Sequence, residues 1–176
     1  MPYLVVAYPK LDDEDFGFIQ NYRKENDARY FHLIDPHITL VFAINDIDEQ
    51  EFLSEVRKQV VGTKAFRFEI KVATINLDNS GNFYHEFLVP DTGYSNIVKL
   101  HNALYADKFE DYLRLDIDFI PHIGIGNSDE AQHSKMRVDD LNTQAISIEG
   151  KVSSIDVIEY KEESIRTIEK IKLTSI

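Results

Sequence analysis

Two copies of one short pattern constrain the fold of this 176-residue chain more than any other feature of its sequence. Each copy joins a proline and a histidine to alternating apolar residues: Pro36-His37-Ile38-Thr39-Leu40 and Pro121-His122-Ile123-Gly124-Ile125. The histidines are 85 positions apart, and Ala73-Thr74-Ile75-Asn76 aligns with Ser153-Ser154-Ile155-Asp156 at a similar interval of 80. The same order of predicted elements (strand, helix, strand, strand) accompanies each copy. This long-period repeat predicts a duplicated α+β fold, with two pseudo-twofold-related lobes around a central cleft.

Local patterns predict the elements of these lobes. Asp48 and Glu51, and again Asn127 and Glu130, have the spacing of a capping box at the start of a helix. Helices are predicted over 13–26, 48–62, 95–113 and 129–141, and strands over 3–9, 36–42, 66–77, 82–89, 119–125, 145–160 and 165–175. These strands predict two antiparallel-rich sheets with flanking helices. No linker or low-complexity segment divides the chain, so we expect one bilobal domain over 1–176.

Composition excludes several classes of function. The formal net charge of −12 disfavours a long, nonspecific grip on nucleic acid, although it leaves room for a local phosphate pocket. The chain has no cysteine, which excludes disulfides, thiolate nucleophiles and Cys-ligated metals. No segment approaches the ~20 apolar residues of a membrane span, and the apolar run at 3–8 is too short for a signal peptide. We therefore expect a soluble, cytoplasmic monomer with no membrane partner.

Strand alternation places the two histidines in the cleft. His37 and Thr39 share one face of their strand, while Ile38 and Leu40 share the other, apolar face. The same alternation places His122 beside Gly124 on a cleft face. One neutral and one protonated imidazole can act as general base and general acid, which suits displacement at phosphorus without a metal. The hydroxyl of Thr39 can hold a non-bridging phosphate oxygen.

At these residues the chain resembles the two-histidine (2H) phosphoesterase superfamily, which includes the 2′-5′ RNA ligase-like cyclic phosphodiesterases. That family carries a His-x-Thr/Ser motif on each lobe of a duplicated fold. The resemblance implies catalysis by His37 and His122, phosphate binding by Thr39, and a packing role for Phe42. It further implies a cofactor-free phosphodiesterase that opens a 2′,3′-cyclic phosphate on a small nucleotide or an RNA end, or a related 2′-5′ phosphodiester, with reverse ligation as a further possibility.

Gly124 departs from the family pattern, because the family has Thr or Ser there. An arginine that often follows the second motif is also absent, since Ile125-Gly126-Asn127 follows. We assign Gly124 to the phosphate site with two interpretations: a missing hydroxyl, or a place where substrate approaches the backbone. A bare glycine pair, Gly124 and Gly126, favours the second. The alternative function is a noncatalytic phosphate- or nucleotide-binding module that keeps the cleft without turnover.

The other histidines and aromatic residues have structural interpretations. His85 lies on a strand that could border the cleft, but a polar residue on a surface face is the favoured interpretation; His101 is interpreted as a packing residue of an apolar helix side. His32 and His133 have no partner pattern. Three tyrosines are candidates to stack on a base at the cleft rim, although core or edge packing is favoured for each: Tyr3, Tyr8 and Tyr84.

Overall fold

The structure is a computed structural model, and it describes residues 2–161 and 164–175. In chain order the elements are β1 (Tyr3–Ala7), α1 (Asp13–Asn26), β2 (Ile38–Ile44), α2 (Glu49–Gln59), β3 (Phe66–Leu77), β4 (Tyr84–Thr92), α3 (Tyr94–Leu104), a 3₁₀-helix (Asp107–Tyr112), β5 (Ile123–Ser128), α4 (Ala131–Thr143), β6 (Ile148–Val152), β7 (Ser154–Lys161) and β8 (Ser164–Lys172). None of the described helices is long and apolar enough to cross a membrane.

The strands form two four-stranded antiparallel sheets, in the orders β2-β1-β7-β8 and β5-β4-β3-β6. The two orders correspond when β2 is equated with β5, β1 with β4, β7 with β3 and β8 with β6. One Pro-His motif therefore precedes an edge strand of each sheet. The correspondence of β3 with β7 matches the repeat seen at Ile75 and Ile155. The predicted duplicated α+β fold with two sheets is confirmed.

The helices tie the two sheets together. Helix α1 connects β1 to β2 in one sheet but packs against β5 of the other, and α3 connects β4 to β5 but packs against β2. Apolar residues of both histidine-bearing strands, such as Leu40 and Ile125, belong to one continuous buried core. Burial of this shared core fixes the relative position of the two sheets, and so of the two histidines.

Short-range signals located several element ends correctly. The Asp12 carboxylate accepts a hydrogen bond from the amide of Asp15 at 2.8 Å at the start of α1. The Asp48 carboxylate accepts from the amides of Gln50 and Glu51 at 2.9 and 3.4 Å, which satisfies exposed N–H groups of α2. The strands predicted over 66–77 and 82–89 are present as β3 and β4, which pair as an antiparallel hairpin.

Two long predicted elements are wrong because each contains a break. The strand predicted over 145–160 divides at Ser153 into β6 and β7, which belong to different sheets. The Ser153 carbonyl accepts from the amide of Leu173 at 3.0 Å as the chain crosses between the sheets. The helix predicted over 95–113 ends at Leu104, and a 3₁₀-helix follows from Asp107, whose φ of 51° lies in the left-handed region. The apolar periodicity continues across each break, so the sequence pattern predicted one continuous element in each case.

The second predicted capping box is also wrong. Asn127 lies within β5, and its side-chain amide donates to the Asp27 carboxylate at 2.6 Å. The Ser128 hydroxyl instead accepts from the amide of Glu130 at 3.1 Å before α4 begins. The predicted strands over 36–42 and 119–125 start later than expected, at Ile38 and Ile123. Each histidine therefore occupies the last position before its strand.

Candidate active site

His37 and His122 have the same local geometry. Nδ1 of His37 lies 2.8 Å from the carbonyl oxygen of Asp35, and Nδ1 of His122 lies 2.5 Å from that of Ile120. A carbonyl can only accept, so each Nδ1 carries the proton and donates it. Each Nε2 is left with an unshared lone pair. The carbonyl used is in both cases the one before the proline, so the X-Pro-His sequence itself fixes the imidazole tautomer.

All four residues predicted for the site line one cavity of about 510 Å³, which lies between the two sheets. Ile38 and Leu40 are buried in the core, and the intervening Thr39 lines the cavity, as strand alternation predicts. Ile123 and Ile125 are buried in the same way, and Gly124 lines the cavity. The structure therefore brings His37, Thr39, His122 and Gly124 to a common space.

The two histidines differ in their aromatic neighbours. The ring of His122 stacks on Phe87 of β4, with centroids 3.5 Å apart and planes 18° apart. The ring of His37 lies 6.3 Å from Tyr8 at a tilt of 59°. Phe87 is opposite Gly124 in the strand register, whereas Val6 is opposite Thr39. The cavity is therefore symmetric in its imidazoles but asymmetric in the side chains beside them.

Burial controls the protonation of both histidines. It lowers the pKa of His37 to about 4, and the nearby Arg23 cation acts in the same direction. It also lowers the pKa of His122 to about 4, with smaller contributions from the charges of His37 and His85. Both imidazoles are therefore neutral at pH 7 while the cavity is empty. An entering anion favours a protonated imidazole, because opposite charges attract strongly where water is excluded.

The structure corrects the interpretation of His85, which lines the cavity instead of a surface face. Its Nε2 lies 3.0 Å from a carboxylate oxygen of Asp78. Its ring is stacked with Phe87 at 5.3 Å and with Tyr30 at 6.3 Å. Phe87 in turn stacks on His122, so these rings form a continuous aromatic wall. The sequence signal for this wall was the alternation of Phe83, just before β4, with His85 and Phe87 inside it.

Packing roles predicted for other aromatic side chains are confirmed. His101 is buried, its Nδ1 donates to the Leu40 carbonyl at 2.8 Å, and its ring stacks on Phe119 at 3.5 Å. Phe42 packs against Phe119 with ring centroids 6.5 Å apart, and both residues line the cavity. Tyr3 belongs to the core. His101 thus supports the strand that follows His37 rather than facing substrate.

Gly124 and Gly126 have different surroundings. A Cβ placed on Gly124 would meet no atom within 4 Å, so the space before it is open. A Cβ on Gly126 would lie 2.3 Å from a carboxylate oxygen of Glu86 and 3.3 Å from Cβ of Asn26. The expectation of a bare glycine pair is therefore wrong at Gly126, where Glu86 fills the space.

Arg23 is a supporting residue that the sequence analysis did not identify. It is 1% exposed and forms an ion pair with Asp27 at 2.9 Å. Its Nη2 also donates to the carbonyls of Tyr30 and Ile34 at 3.2 and 2.8 Å. These bonds hold the loop that leads into His37. A charged residue at an apolar helix position was the signal for this role.

The described residues offer limited positive charge to a ligand. Within residues 2–161 and 164–175, Arg23 is the only arginine or lysine that lines the cavity, and its charge is matched by Asp27. The same residues contain no group of three or more histidine, aspartate or glutamate side chains placed to hold a metal ion. Hydrogen-bond donors to an anion would therefore come from the imidazoles, Thr39 and backbone amides.

Comparison with known families and structures agrees with this geometry. The model of the 2′-5′ RNA ligase superfamily matches residues 11–164. The chain belongs to this superfamily. The match includes both Pro-His motifs and the cavity-lining residues other than Leu4, Val6 and Ile165. The resemblance to two-histidine phosphoesterases that the motifs implied is confirmed. No curated protein sequence matches the chain.

Solved structures share the fold of this superfamily member at low sequence identity. The protein TT0787 of Thermus thermophilus is 17% identical with a TM-score of 0.62, over 99% of each chain. E. coli LigT is 15% identical with a TM-score of 0.60, over 98% of this chain and 97% of LigT. Usb1 of Kluyveromyces marxianus is 10% identical with a TM-score of 0.56, over 95% of this chain and 97% of Usb1. At these identities the likeness concerns the fold.

Proposed function

We propose that this protein is a metal-independent phosphodiesterase that opens a 2′,3′-cyclic phosphate on a nucleotide or RNA end, or a related 2′-5′ phosphodiester. The observation that carries the proposal is the pair of equivalent imidazoles, each with Nδ1 bonded to a backbone carbonyl and Nε2 unpaired, in one cavity. Membership of the 2′-5′ RNA ligase superfamily supports the same chemistry.

The reaction uses one imidazole as base and the other as acid. Nε2 of the neutral histidine removes a proton from water, and the water oxygen forms a bond to phosphorus. The bond from phosphorus to the ribose oxygen breaks, and the protonated histidine donates its proton to that oxygen. Because His37 and His122 have the same tautomer and similarly lowered pKa values, either histidine can take either role.

The remaining polar groups stabilise charge on the phosphate. The Thr39 hydroxyl donates to a non-bridging oxygen, and backbone amides beside Gly124 contribute on the opposite side. A cavity of about 510 Å³ falls within the range of small-molecule sites. E. coli LigT has been solved with 3′-AMP, ATP and NADP+, and Usb1 of Kluyveromyces marxianus with uridine monophosphate. These complexes support a nucleotide as ligand for the same fold.

A product-resolved assay tests the proposal. The panel contains nucleoside 2′,3′-cyclic phosphates, RNA ends with a cyclic phosphate, and 2′-5′ dinucleotides. His37→Ala and His122→Ala should each lose ~10²–10⁴-fold in rate, and the double variant little more, because the two groups act as a unit. His133→Ala is the matched control, since His133 is exposed and outside the cavity. Near-wild-type turnover by either single variant, or loss of activity with a chelator, contradicts the proposal.

Gly124 supports the second candidate, a noncatalytic nucleotide-binding module. This position offers no hydroxyl to the phosphate opposite Thr39. Such a module binds the panel without forming product. Binding of cyclic nucleotides that persists in wild-type protein without any turnover would favour it.

A further inference from the structure

The charges on the cavity wall limit how much negative charge a substrate can carry. The one arginine among the described lining residues, Arg23, is 1% exposed and already bonded to Asp27 and two backbone carbonyls. Its guanidinium therefore has little left to offer a phosphate. No described lysine lines the cavity.

Carboxylates on the same wall add negative potential. Asp78 lines the cavity and is paired with His85. Asp118 also lines the cavity, is exposed, and has no hydrogen bond or ion pair to another described side chain. Its carboxylate would repel a second anionic group on a ligand in this cavity, because like charges repel.

The rest of the wall is mainly apolar or aromatic. Leu33, Ile34 and Phe119 line it together with the stacked rings of Tyr30, His85 and Phe87. Such a surface suits an uncharged, flat group and cannot replace the hydration of an additional phosphate. One negative charge can be matched by protonating one imidazole of the pair. A second or third charge finds no unpaired lysine or arginine on the described part of the wall.

We propose that the cavity selects a substrate with a single phosphodiester charge and an uncharged remainder, such as a nucleoside 2′,3′-cyclic phosphate without a 5′-phosphate. This inference rests on the proposed function for the position of the diester at the histidine pair. It also assigns Asp118 a role in specificity, as the group that disfavours additional phosphates. The hydrolysis product, a phosphomonoester of higher charge, is disfavoured by the same wall.

Binding of two matched ligands tests the inference. Adenosine 2′,3′-cyclic phosphate and its 5′-phosphorylated form differ only in the additional phosphate. Calorimetric titration of the full-length His122→Asn protein at low salt measures affinity without relying on turnover. The 5′-phosphate should weaken binding by ~tenfold or more, and the difference should narrow as salt is added.

Two charge variants test whether Asp118 causes the difference in affinity between the two ligands. Asp118→Lys in the same background should reduce the difference between the ligands by ~tenfold. Glu25→Lys is the matched control, because it makes the same change in net charge at an exposed residue outside the cavity, and it should change the ratio by less than ~twofold. Binding of the 5′-phosphorylated ligand as tightly as its partner overturns the inference, as does equal response to the two variants.

The outcomes separate this inference from the proposed function. Selective binding of the singly charged ligand with no turnover by the wild-type protein supports the charge selection and overturns the proposed catalysis. Turnover of both ligands with equal kcat/KM supports the catalysis and overturns the charge selection. Failure of both ligands to bind overturns the charge selection. Failure of turnover across the whole panel overturns the proposed catalysis and says nothing about charge selection.

Discussion

The carbonyls before Pro36 and Pro121 hold each imidazole with its proton on Nδ1, so the remaining nitrogen of both rings is available for proton transfer. The rings are equivalent in tautomer, and burial lowers the pKa of each to about 4. The proposed catalysis needs one ring neutral and one protonated. In the free protein this singly protonated pair is most populated near pH 4, and it becomes rarer as pH rises.

The pH dependence of the proposed reaction follows from these values. We expect kcat/KM to be bell-shaped with a maximum near pH 4, and to fall about tenfold per pH unit from ~5 to 7. The kcat profile should lie at higher pH, because bound anionic substrate favours the imidazolium. Steady-state kinetics from pH 4 to 8, with NMR titration of the two imidazoles, measures both. A kcat/KM that stays constant from pH 5 to 8 contradicts this prediction.

Gly124 offers a test of the missing phosphate donor. Its Cβ position is open, and Thr39 already occupies the corresponding place on the other sheet. We therefore expect Gly124→Ser to fold normally and to raise kcat/KM on a cyclic nucleotide by ~10- to 100-fold at most, since a charge-assisted hydrogen bond contributes ~1.5–3 kcal/mol at best.

Steady-state assays compare Gly124→Ser with Gly124→Ala, which adds the Cβ without the hydroxyl. A fall in activity for both variants, with stability unchanged, would instead show that substrate approaches the backbone at Gly124. The same test bears on the noncatalytic alternative, because a gain of turnover would locate the defect in one hydroxyl.

At the scale of elements, the packing of strand β5 against β4 requires a glycine at position 126, where the Glu86 side chain fills the space that a Cβ would take. The register between β4 and β5 shifts between Glu86 and Phe87, so Gly126 and Gly124 are opposite consecutive residues. Glu86 is buried and its carboxylate accepts from the Tyr22 hydroxyl at 3.2 Å, so it has little freedom to move. Gly126→Ala should lower the free energy of unfolding by about 1–3 kcal/mol through overpacking.

Urea denaturation measures this loss. Gly124→Ala is the matched control two residues away on the same strand, where a Cβ meets nothing, and it should leave the unfolding midpoint near that of the wild type. Equal stability of the two variants would mean that Glu86 relocates without cost.

The sequence was most informative where a signal is local. The Asp48 cap, the strands over 66–77 and 82–89 and the alternation at Thr39 depend on neighbouring residues and were predicted. The break at Ser153 was missed because the residues on both sides favour a strand, and only tertiary pairing assigns them to different sheets. Asn127 was misassigned because its partner, Asp27, is distant in sequence.

The same limit applies to the site. Repetition of the Pro-His motif was enough to predict which four residues share the cavity, whereas the role of His85 depends on a stack of rings from different segments. The bonds from Arg23 to the loop before His37 likewise join residues whose proximity only the fold defines.

At the scale of the whole molecule, the two half-buried, neutral histidines of the cavity link stability to pH. The pKa of His37 and of His122 is about 4 in the folded protein and ~6.5 when unfolded, so the unfolded chain binds more protons between these values. Stability is therefore fully present above pH ~6.5 and is lost as pH falls towards 4. Each histidine contributes at most about 1.4 kcal/mol per pH unit.

Chemical denaturation at several pH values from 4 to 8 tests this linkage. The double variant His37→Gln/His122→Gln should lose less stability between pH 6.5 and 4 than the wild type does. His133→Gln, changed at an exposed residue, should retain the wild-type slope. An identical slope in the double variant would assign the acid sensitivity to other groups, such as buried His101, whose pKa is also lowered by burial.

The path of the chain between the sheets has a consequence for biosynthesis. The sheet β5-β4-β3-β6 comes from the continuous stretch 66–152, so the ribosome supplies all of its strands in succession. The other sheet joins β1 and β2, made early, to β7 and β8, made more than a hundred residues later. During translation one edge of β1 therefore stays unpaired until β7 has been made. Unpaired strand edges tend to associate with other chains, which is one reason why nascent proteins need chaperones. The sheet that carries His122 can therefore form first, and the complete cavity that holds both imidazoles forms only once β7 has been translated.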